Sequence, residues 1–304
     1  MTLHATVTGR LIAAGLDPGD TERLICGALD EDLRHGPDVT SAATAAPDAR
    51  AVAGIVAREP GVLAGLPVAL AVLDAAGIPP EAAGPLRGDG DRIDAGTEVL
   101  RIQAPLRAML GAERTVLNFL ARLSGIATAT RAWADALAGT GCAVRDTRKT
   151  TPGLRQLEKY AVRCGGGQNH RMGLGDAALI KDNHVAAAGG VAAAIAAVRA
   201  AAPGLPLEVE CDSLAQVQEA LDAGAGLILL DNMGLADMRA AAAMAGRYPS
   251  VRLEASGGLR LEQARAVADT GVHFVAVGAL THSSPALDLG LDILAPAPAQ
   301  LVPS

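Results

Sequence analysis

A regular alternation of short apolar strands and helical stretches begins after Gly141 and continues to about residue 277. Helical stretches such as 191–202, 214–223, 235–245 and 261–270 separate the later strand candidates. Strands joined through helices run parallel, because each helical crossover returns the chain to the same edge of the sheet. The alternation therefore predicts a parallel β/α unit. Its six strand candidates are residues 144–147, 178–181, 207–210, 227–231, 253–256 and 274–277.

Each strand candidate ends in a polar residue or a glycine. In a β/α barrel the carboxyl ends of the strands form one face, and catalytic residues lie there. A single polar strand end carries little information, but six in succession favour a barrel active site. Six strands are fewer than the eight that close a barrel, so either the barrel is incomplete or some strands escape the pattern. The strand-end residues are Arg148, Lys149, Lys181, Glu210, Asp231, Asn232, Ser256, Gly257, Gly258 and Gly278.

Positive charge in this acidic chain is concentrated in residues 145–184. That stretch has eight Lys and Arg against four Asp and Glu, whereas the whole chain has 26 Lys and Arg against 33 Asp and Glu. Charge clusters are often solvated helix surfaces. Here, however, the cations adjoin strand ends, and His170 and Arg171 closely follow three consecutive glycines, a pattern typical of loops where backbone approaches a ligand. A site for a small, highly charged anion is therefore favoured.

Composition argues against nucleic-acid and membrane partners. The net charge is −7, and aromatic residues make up only 2% of the chain, so attraction to polyanions and base stacking are both weak. The most apolar stretch, 185–198, is shorter than the roughly 20 residues that span a bilayer. The first residues do not resemble a secretion signal. The cysteines are Cys26, Cys142, Cys164 and Cys211, without a CxxC pair, which predicts a reduced, cytoplasmic protein.

The first third of the chain predicts a small α+β domain. Residues 1–35 are predicted to be helical, with a helix start at Asp17-Pro18, and strands are expected near 50–56 and 98–102. A long helical region begins near residue 104, and Ser124-Gly125 is predicted to interrupt it before a second helical stretch at 127–137. Arg114 lies in this region and, taken alone, would be interpreted as a surface arginine.

The strand-end residues predict three adjoining pockets. Arg148, Arg171 and Lys181, with Lys149 and His170, suit the carboxylates of a ligand, because arginine binds them in a bidentate manner and lysine as a point charge. Glu210 and Asp231 could hold Mg²⁺, accept hydrogen bonds from ribose hydroxyls, or stabilise a developing cation. The glycine-rich ends of the last two strands suit a phosphate, although each is also compatible with a simple tight turn. A phosphorylated sugar that reacts with an acidic nucleophile fits all three pockets.

The chain resembles the quinolinate phosphoribosyltransferase family over nearly its whole length. The likeness rests on long motifs that contain these same strand-end residues. The motifs are Glu113–Asn118, Leu123–Thr128, Asp146–Gly153, Asn169–Arg171, Leu179–His184, Glu208–Glu210, Leu230–Asn232, Glu254–Gly258 and Val277–His282, with Glu31–Leu33 and Gly36–Thr40 near the start.

The resemblance implies an α/β protein of two domains, like the type II phosphoribosyltransferases. Residues 1–116 would form an N-terminal α/β sandwich, with the tail 284–304 packed back on it, and residues 117–283 an open, incomplete β/α barrel. The family reaction joins quinolinate to 5-phosphoribosyl-1-pyrophosphate and gives nicotinate mononucleotide, pyrophosphate and carbon dioxide in NAD biosynthesis. It uses Mg²⁺. A homo-oligomer, at least a dimer, is expected.

The resemblance also implies a role for each site residue. Lys149, Lys181, Glu210 and Asp231 would be catalytic, with Glu210 and Asp231 as ribose partners and candidate Mg²⁺ ligands. Arg114 would enter the active site of the neighbouring subunit. Quinolinate would be bound by Arg148, His170, Arg171 and Lys181, with Lys149 between the two substrates, and phosphate would be bound by Ser256, Gly257, Gly258, Gly278 and His282.

Three other functions stay open on the sequence alone. A related phosphoribosyltransferase could use another acidic heterocycle as acceptor. A Schiff-base aldolase could use Lys181, since a lysine at a barrel strand end also fits that role, although the arginine-rich pocket argues against it. A non-catalytic sensor of pyridine acids is disfavoured by the Glu210 and Asp231 pair and by the two glycine turns.

Overall fold

The predicted strand–helix alternation is present in a computed structural model, which describes residues 2–296 of the chain. In this part of the chain the α-helices are α1 (Ala5–Ala13), α2 (Pro18–Leu33), α3 (Val39–Thr44), α4 (Leu66–Ala75), α5 (Leu106–Ala136), α6 (Arg155–Cys164), α7 (Asp182–Ala188), α8 (Val191–Ala201), α9 (Leu214–Asp222), α10 (Leu235–Ala245), α11 (Ala264–Ala268) and α12 (Ala279–His282). The strands are β1 (Arg50–Ala57), β2 (Gly61–Val62), β3 (Ala83–Pro85), β4 (Arg92–Ile93), β5 (Glu98–Pro105), β6 (Ala143–Arg145), β7 (Ala178–Ile180), β8 (Leu207–Cys211), β9 (Leu227–Asp231), β10 (Arg252–Ser256), β11 (Phe274–Ala276) and β12 (Leu289–Pro296). Short 3-10 turns lie at Pro80–Ala82 and Leu261–Gln263.

The chain divides into two compact units. The described part of the first unit comprises residues 2–128, Pro152–Gly165 and 284–296, and the second comprises Ala129–Thr151 and Gly166–Ser283. These units do not follow the division at residue 117 that the resemblance implies, because residues 117–128 and helix α6 belong to the first unit. Strand β12 carries part of the predicted returning tail, and residues 297–304 of that tail lie outside the described residues.

The first unit is built on an antiparallel sheet with the strand order β12-β1-β5-β3 in the described residues. Helix α4 is buried over most of its length, since seven of its ten residues are buried, and it contacts α1 and α2. Helix α2 begins as predicted: Asp17 accepts a hydrogen bond from the Asp20 N–H at 2.7 Å, and Pro18 occupies the first turn. The sheet and helices form the predicted N-terminal α/β domain.

Helix α5 runs unbroken from Leu106 to Ala136, so the predicted interruption at Ser124-Gly125 is wrong. Ser124 is fully buried, and its hydroxyl accepts a hydrogen bond from the Ala64 N–H at 3.0 Å. A Cβ at Gly125 would collide with the backbone carbonyl of Pro285. Both small residues therefore serve close packing in the middle of the helix.

The second unit contains the parallel sheet, whose strand order in the described residues is β6-β11-β10-β9-β8-β7. Successive strands are neighbours, and β11 pairs with β6, as in a barrel that stays open between β6 and β7. The segment at Gln168 partly occupies this gap, because it makes a parallel bridge to Arg145. The open, incomplete barrel and its six strands are thus confirmed.

No single helix within residues 2–296 combines the length and the apolar character that crossing a membrane requires. Helices α7 and α8 meet that test only when taken together, and they are bent by 89° relative to each other.

Candidate active site

The carboxyl ends of the parallel strands surround a cavity of about 550 Å³ in the second unit. Adjacent strands pair side by side up to their last residues, for example Ser256 with Asp231, so their end residues are neighbours in space. Ten of the residues singled out from the sequence line this cavity. They are Arg148, Lys149, His170, Arg171, Lys181, Glu210, Asp231, Ser256, Gly257 and Gly258, and the strand-end residue Asn232 lines it as well.

The cationic side of the cavity holds two arginines that form no ion pair in the described part of the chain. Arg148 and Arg171 make no ion pair within residues 2–296, and the Nε atom of each is buried without a hydrogen-bond partner. Burial, reinforced by the charge of Arg148, lowers the pKa of the Arg171 guanidinium. Two neighbouring cations with unused donors are costly unless an anion binds between them. The arrangement suits the carboxylates of a ligand.

Glu210 and Asp231 form the acidic side of the cavity, on the adjacent strands β8 and β9. Glu210 Oε2 accepts a hydrogen bond from Lys181 Nζ at 2.9 Å, and Asp231 Oδ2 accepts one from Asn232 Nδ2 at 2.7 Å. The other oxygen of each carboxylate has no hydrogen-bond partner in the described part of the chain. These hard oxygen donors fit Mg²⁺, which binds through one or two carboxylates and keeps its remaining positions for water and phosphate.

His170 lies at the buried end of the cavity wall, where it contacts two acids. Its Nε2 is 2.6 Å from Glu208 Oε2 and 3.6 Å from Glu254 Oε1. Glu254 also accepts a hydrogen bond from Arg145 Nη1 at 2.5 Å. Burial, and next the charge of Glu208, raises the pKa of Glu254 to about 7. The cavity therefore rests on a largely buried polar cluster of Arg145, His170, Glu208 and Glu254.

A second cavity, of about 190 Å³, adjoins the glycine-rich strand ends and shares several lining residues with the first. Gly257 (φ 96°) and Gly258 (φ 58°) lie in the left-handed region, and a Cβ at Gly257 would lie 2.9 Å from the Asn232 backbone nitrogen. Asn232 is itself the one non-glycine residue with positive φ (55°) among residues 2–296. Gly278 and His282, also predicted from the sequence, line this smaller cavity with Lys149 and Ser256.

Known proteins resemble the chain over nearly its whole length. Models of the quinolinate phosphoribosyl transferase N-terminal and C-terminal domains match residues 38–124 and 126–292, respectively. The chain belongs to the quinolinate phosphoribosyltransferase family. Nicotinate-nucleotide pyrophosphorylase (carboxylating) of Mycobacterium leprae is 54% identical over 268 residues, which cover 88% of this chain and 94% of the relative. The human protein of the same name is 38% identical over 288 residues, covering 93% and 95%.

Solved structures of this family have the same fold. The nicotinate-nucleotide pyrophosphorylase of Francisella tularensis superposes with a TM-score of 0.85 at 36% identity, covering 90% of this chain and 96% of that one. NadC of Streptococcus pyogenes gives 0.85 at 41% identity, covering 92% and 99%. The resemblance inferred from the sequence motifs and the predicted mixed α/β fold are therefore confirmed.

Arg114 is the one predicted site residue that lines neither of the two cavities. It lies exposed on helix α5, in the first unit, and makes no hydrogen bond or ion pair within residues 2–296. Its family role, which requires a neighbouring subunit, stays a prediction.

Sequence reasoning assigned no role to Glu208 or Glu254, which the family motifs contain. The sequence did contain a signal for these two acids, because side chains two residues apart on a strand share one face. Glu208 therefore faces the same side as Glu210, and Glu254 the same side as Ser256. Asn232 was noted at its strand end, but its left-handed backbone conformation could not be predicted from the alternation.

Proposed function

We propose that this protein transfers the phosphoribosyl group of 5-phosphoribosyl-1-pyrophosphate to quinolinate with loss of carbon dioxide. The products are nicotinate mononucleotide and pyrophosphate, in a step of NAD biosynthesis. The observation that carries the proposal is one cavity in which two arginines without an ion pair in the described residues face two carboxylates, in a chain that belongs to the quinolinate phosphoribosyltransferase family. A dicarboxylate acceptor fits the cations, and a ribosyl donor fits the acids.

Quinolinate carries two adjacent carboxylates on a pyridine ring. Arg148 and Arg171 would bind them through their guanidinium groups, neither of which is ion-paired within residues 2–296, and Lys181 would add a point charge. Because these groups are preorganised and partly desolvated, binding costs little further reorganisation. The pocket therefore selects a planar diacid over a neutral ring.

The donor would occupy the opposite side of the cavity. Glu210 and Asp231 would accept hydrogen bonds from the ribose hydroxyls and would hold Mg²⁺ through their remaining oxygens. Its phosphates would bind at the second cavity, where Ser256, Gly257, Gly258, Gly278 and His282 offer small side chains, hydroxyl and imidazole groups. Lys149 lines both cavities, so it would contact both substrates.

The chemistry needs no general base, because the pyridine nitrogen already carries a lone pair. That lone pair forms the bond to C1 of ribose, while the bond from C1 to pyrophosphate breaks and its electrons leave with pyrophosphate. Positive charge develops on the sugar ring, and the carboxylates of Glu210 and Asp231 stabilise it electrostatically. When bound, Mg²⁺ neutralises negative charge on the pyrophosphate group.

Decarboxylation follows from the charge on the alkylated ring. The ring nitrogen is now positive, so the carboxylate beside it can leave as carbon dioxide and deposit its bonding electrons on the ring carbon. The adjacent positive nitrogen stabilises that carbanion, and a proton from solvent completes nicotinate mononucleotide. Arg171 and Lys181 hold the acceptor during the first step.

Arg114 supports a shared active site in a homodimer. An exposed arginine that has no partner among residues 2–296 is available to a second copy. In the proposed assembly each subunit contributes Arg114 to the quinolinate pocket of the other. A cytoplasmic location, where both substrates would be made and used, belongs to the same proposal.

Measuring carbon dioxide released from carboxyl-labelled quinolinate tests the function directly. Release is expected only when donor and Mg²⁺ are both present, with one pyrophosphate formed for each carbon dioxide. Nicotinate, which lacks the departing carboxylate, serves as the comparison acceptor. Pyrophosphate release with nicotinate but not with quinolinate would overturn the proposed acceptor, and release with neither would overturn the reaction.

A further inference from the structure

Both ring nitrogens of His170 are engaged by groups of the protein itself. Nδ1 accepts a hydrogen bond from the Arg171 backbone N–H at 2.8 Å. Nε2 lies 2.6 Å from Glu208 Oε2. A nitrogen that accepts a hydrogen bond carries no proton, so the proton is on Nε2 and is donated to Glu208. Both ring nitrogens of His170 therefore already contact groups of the protein, in a pattern that matches a ring donating from Nε2 to Glu208.

The two glutamates around this imidazole are buried, and Arg145 holds one of them in place. Glu208 is 4% exposed and Glu254 is fully buried. Arg145 Nη1 holds Glu254 at 2.5 Å, and Glu254 Oε1 lies 3.6 Å from the same His170 nitrogen. The second oxygen of Glu208 has no hydrogen-bond partner in the described residues. The carboxylates thus leave the imidazole one acceptor at hydrogen-bond distance, Glu208 Oε2.

The chain around His170 is tied to the neighbouring strand as well. Fully buried Asp146 accepts the His170 backbone N–H at 2.8 Å and the Asn169 side-chain amide at 2.5 Å. The Gln168 N–H donates to the Val144 carbonyl at 2.9 Å. The His170 and Gln168 contacts hold the main chain, and the Asn169 contact holds the side chain next to it. The segment from Gln168 to Arg171 is therefore a rigid support at the gap in the open barrel.

We infer that His170 is a positioning residue for Arg171 and not a ligand of the substrate. Its Nδ1 holds the Arg171 main chain, and Glu208, backed by Glu254 and Arg145, holds His170 in the tautomer that leaves Nδ1 free to accept. The Arg171 guanidinium then projects into the cavity with one nitrogen bound to the Ala177 carbonyl at 2.8 Å. This inference rests on the proposed function and gives His170 a different role from the one that the resemblance implies.

Two substitutions of Glu208 distinguish its role as a hydrogen-bond acceptor for His170 from the effect of its negative charge. In Glu208→Gln the amide oxygen still accepts the Nε2 proton, so the KM for quinolinate is expected to stay within about threefold of wild type. Glu208→Val removes the acceptor, frees the ring to rotate, and is expected to raise that KM about 10-fold or more while kcat changes less. If His170 bound quinolinate as an imidazolium stabilised by the Glu208 charge, both variants would lose affinity equally, which would overturn the inference.

His273 provides a matched control. Its Nδ1 also accepts a backbone N–H, that of Leu253 at 3.1 Å, but it precedes β11 at the end of the sheet opposite the cavity. His273→Gln, which likewise has no acceptor at the Nδ1 position, is therefore expected to leave the KM for quinolinate unchanged, whereas His170→Gln raises it. Equal changes in the two variants would show only a general effect on stability and would contradict a positioning role.

Nitrogen-15 NMR of the full-length wild-type protein, labelled at its six histidines, tests the tautomer without any substitution in the measured protein. The His170 signals, identified by their absence in His170→Gln, are expected to show a neutral ring protonated at Nε2, both free and with saturating quinolinate. An imidazolium, or a ring protonated at Nδ1, in either state would overturn the inference. If the wild-type protein neither binds nor consumes quinolinate, the proposed function fails, and the spectrum of the free protein still decides the tautomer.

Discussion

Three arginines of the first unit are paired with carboxylates, whereas two arginines at the strand ends of the second unit are not, among the described residues. In the first unit Arg58, Arg101 and Arg122 each meet a carboxylate, at 2.6, 2.6 and 2.8 Å, respectively. At the strand ends, Arg148 and Arg171 have no ion pair within residues 2–296. Arginines that stabilise the fold are paired with carboxylates of the protein. An arginine that binds a ligand can lack such a partner, because the ligand anion supplies it. The contrast distinguishes a binding site from a stabilising network.

The largest expected effect is on activity, from removing one strand-end cation. Lys181→Ala or Arg171→Ala is expected to lower kcat/KM for quinolinate about 10²- to 10³-fold, equivalent to about 3–4 kcal/mol, because a ligand carboxylate loses its positively charged partner. The melting temperature of Arg171→Ala is expected to stay the same or to rise slightly, since Arg148 no longer faces a like charge, and Lys181→Ala is expected to change it little because it removes only a half-exposed ion pair with Glu210. Steady-state kinetics and thermal unfolding measure the two. Full turnover by either variant would contradict the carboxylate pocket.

The opposite outcome is expected for a paired arginine of the first unit. Arg122→Met removes a guanidinium that bonds Glu158, whose side chain is fully buried, and is expected to reduce the free energy of unfolding by about 3 kcal/mol. Urea denaturation measures this loss. Arg148→Met is the matched control of similar size, for which activity falls and stability does not. If the two variants lost equal stability, the contrast between the units would not hold.

Glu254 is a buried acid that is paired with Arg145 and nevertheless has a raised pKa. In the folded protein this pKa is about 7, against an ordinary value of 4.5. Between these values the unfolded chain releases the proton while the folded chain keeps it, so stability falls as pH rises, and the full penalty applies above about pH 7.

Glu254→Gln does not titrate and therefore escapes this pH-dependent penalty. Relative to wild type, the variant is expected to gain about 2 kcal/mol in free energy of unfolding between about pH 5 and about pH 8. Paired urea titrations at the two pH values measure the change. A difference between the two proteins that did not vary with pH would indicate that Glu254 stays ionised throughout.

Local patterns predicted much of this molecule. The strand Leu227–Asp231 matches its predicted range, and the helix Leu235–Ala245 does too, because an apolar run or stripe and its polar ending coincide in each. Gly125 was misinterpreted because the reason for its size, the Pro285 carbonyl, lies 160 residues further along the chain. Local propensity contains no information about such a contact.

In the candidate site, too, local patterns predicted some residues and missed others. The residues that end strands were predicted, because their positions follow from the alternation alone. The support under His170 was not, because it depends on tertiary pairing: β11 lies between β6 and β10 and so brings Arg145 to Glu254. The segment at Gln168 was also missed, since its bridge to β6 fills a gap that exists only in an open barrel.

Arg114 sharpens the contrast in another way, since it is an exposed first-unit arginine that makes no hydrogen bond or ion pair within residues 2–296. If it serves a neighbouring subunit, mixing Arg114→Ala protein with Lys149→Ala protein restores one intact site in each hybrid dimer. Random exchange makes half of the dimers hybrid, so recovery to about a quarter of wild-type activity is expected from two nearly inactive parents. Mass spectrometry of differently tagged subunits confirms the exchange. Hybrid dimers without recovered activity would show that Arg114 acts within its own chain or has no part in catalysis.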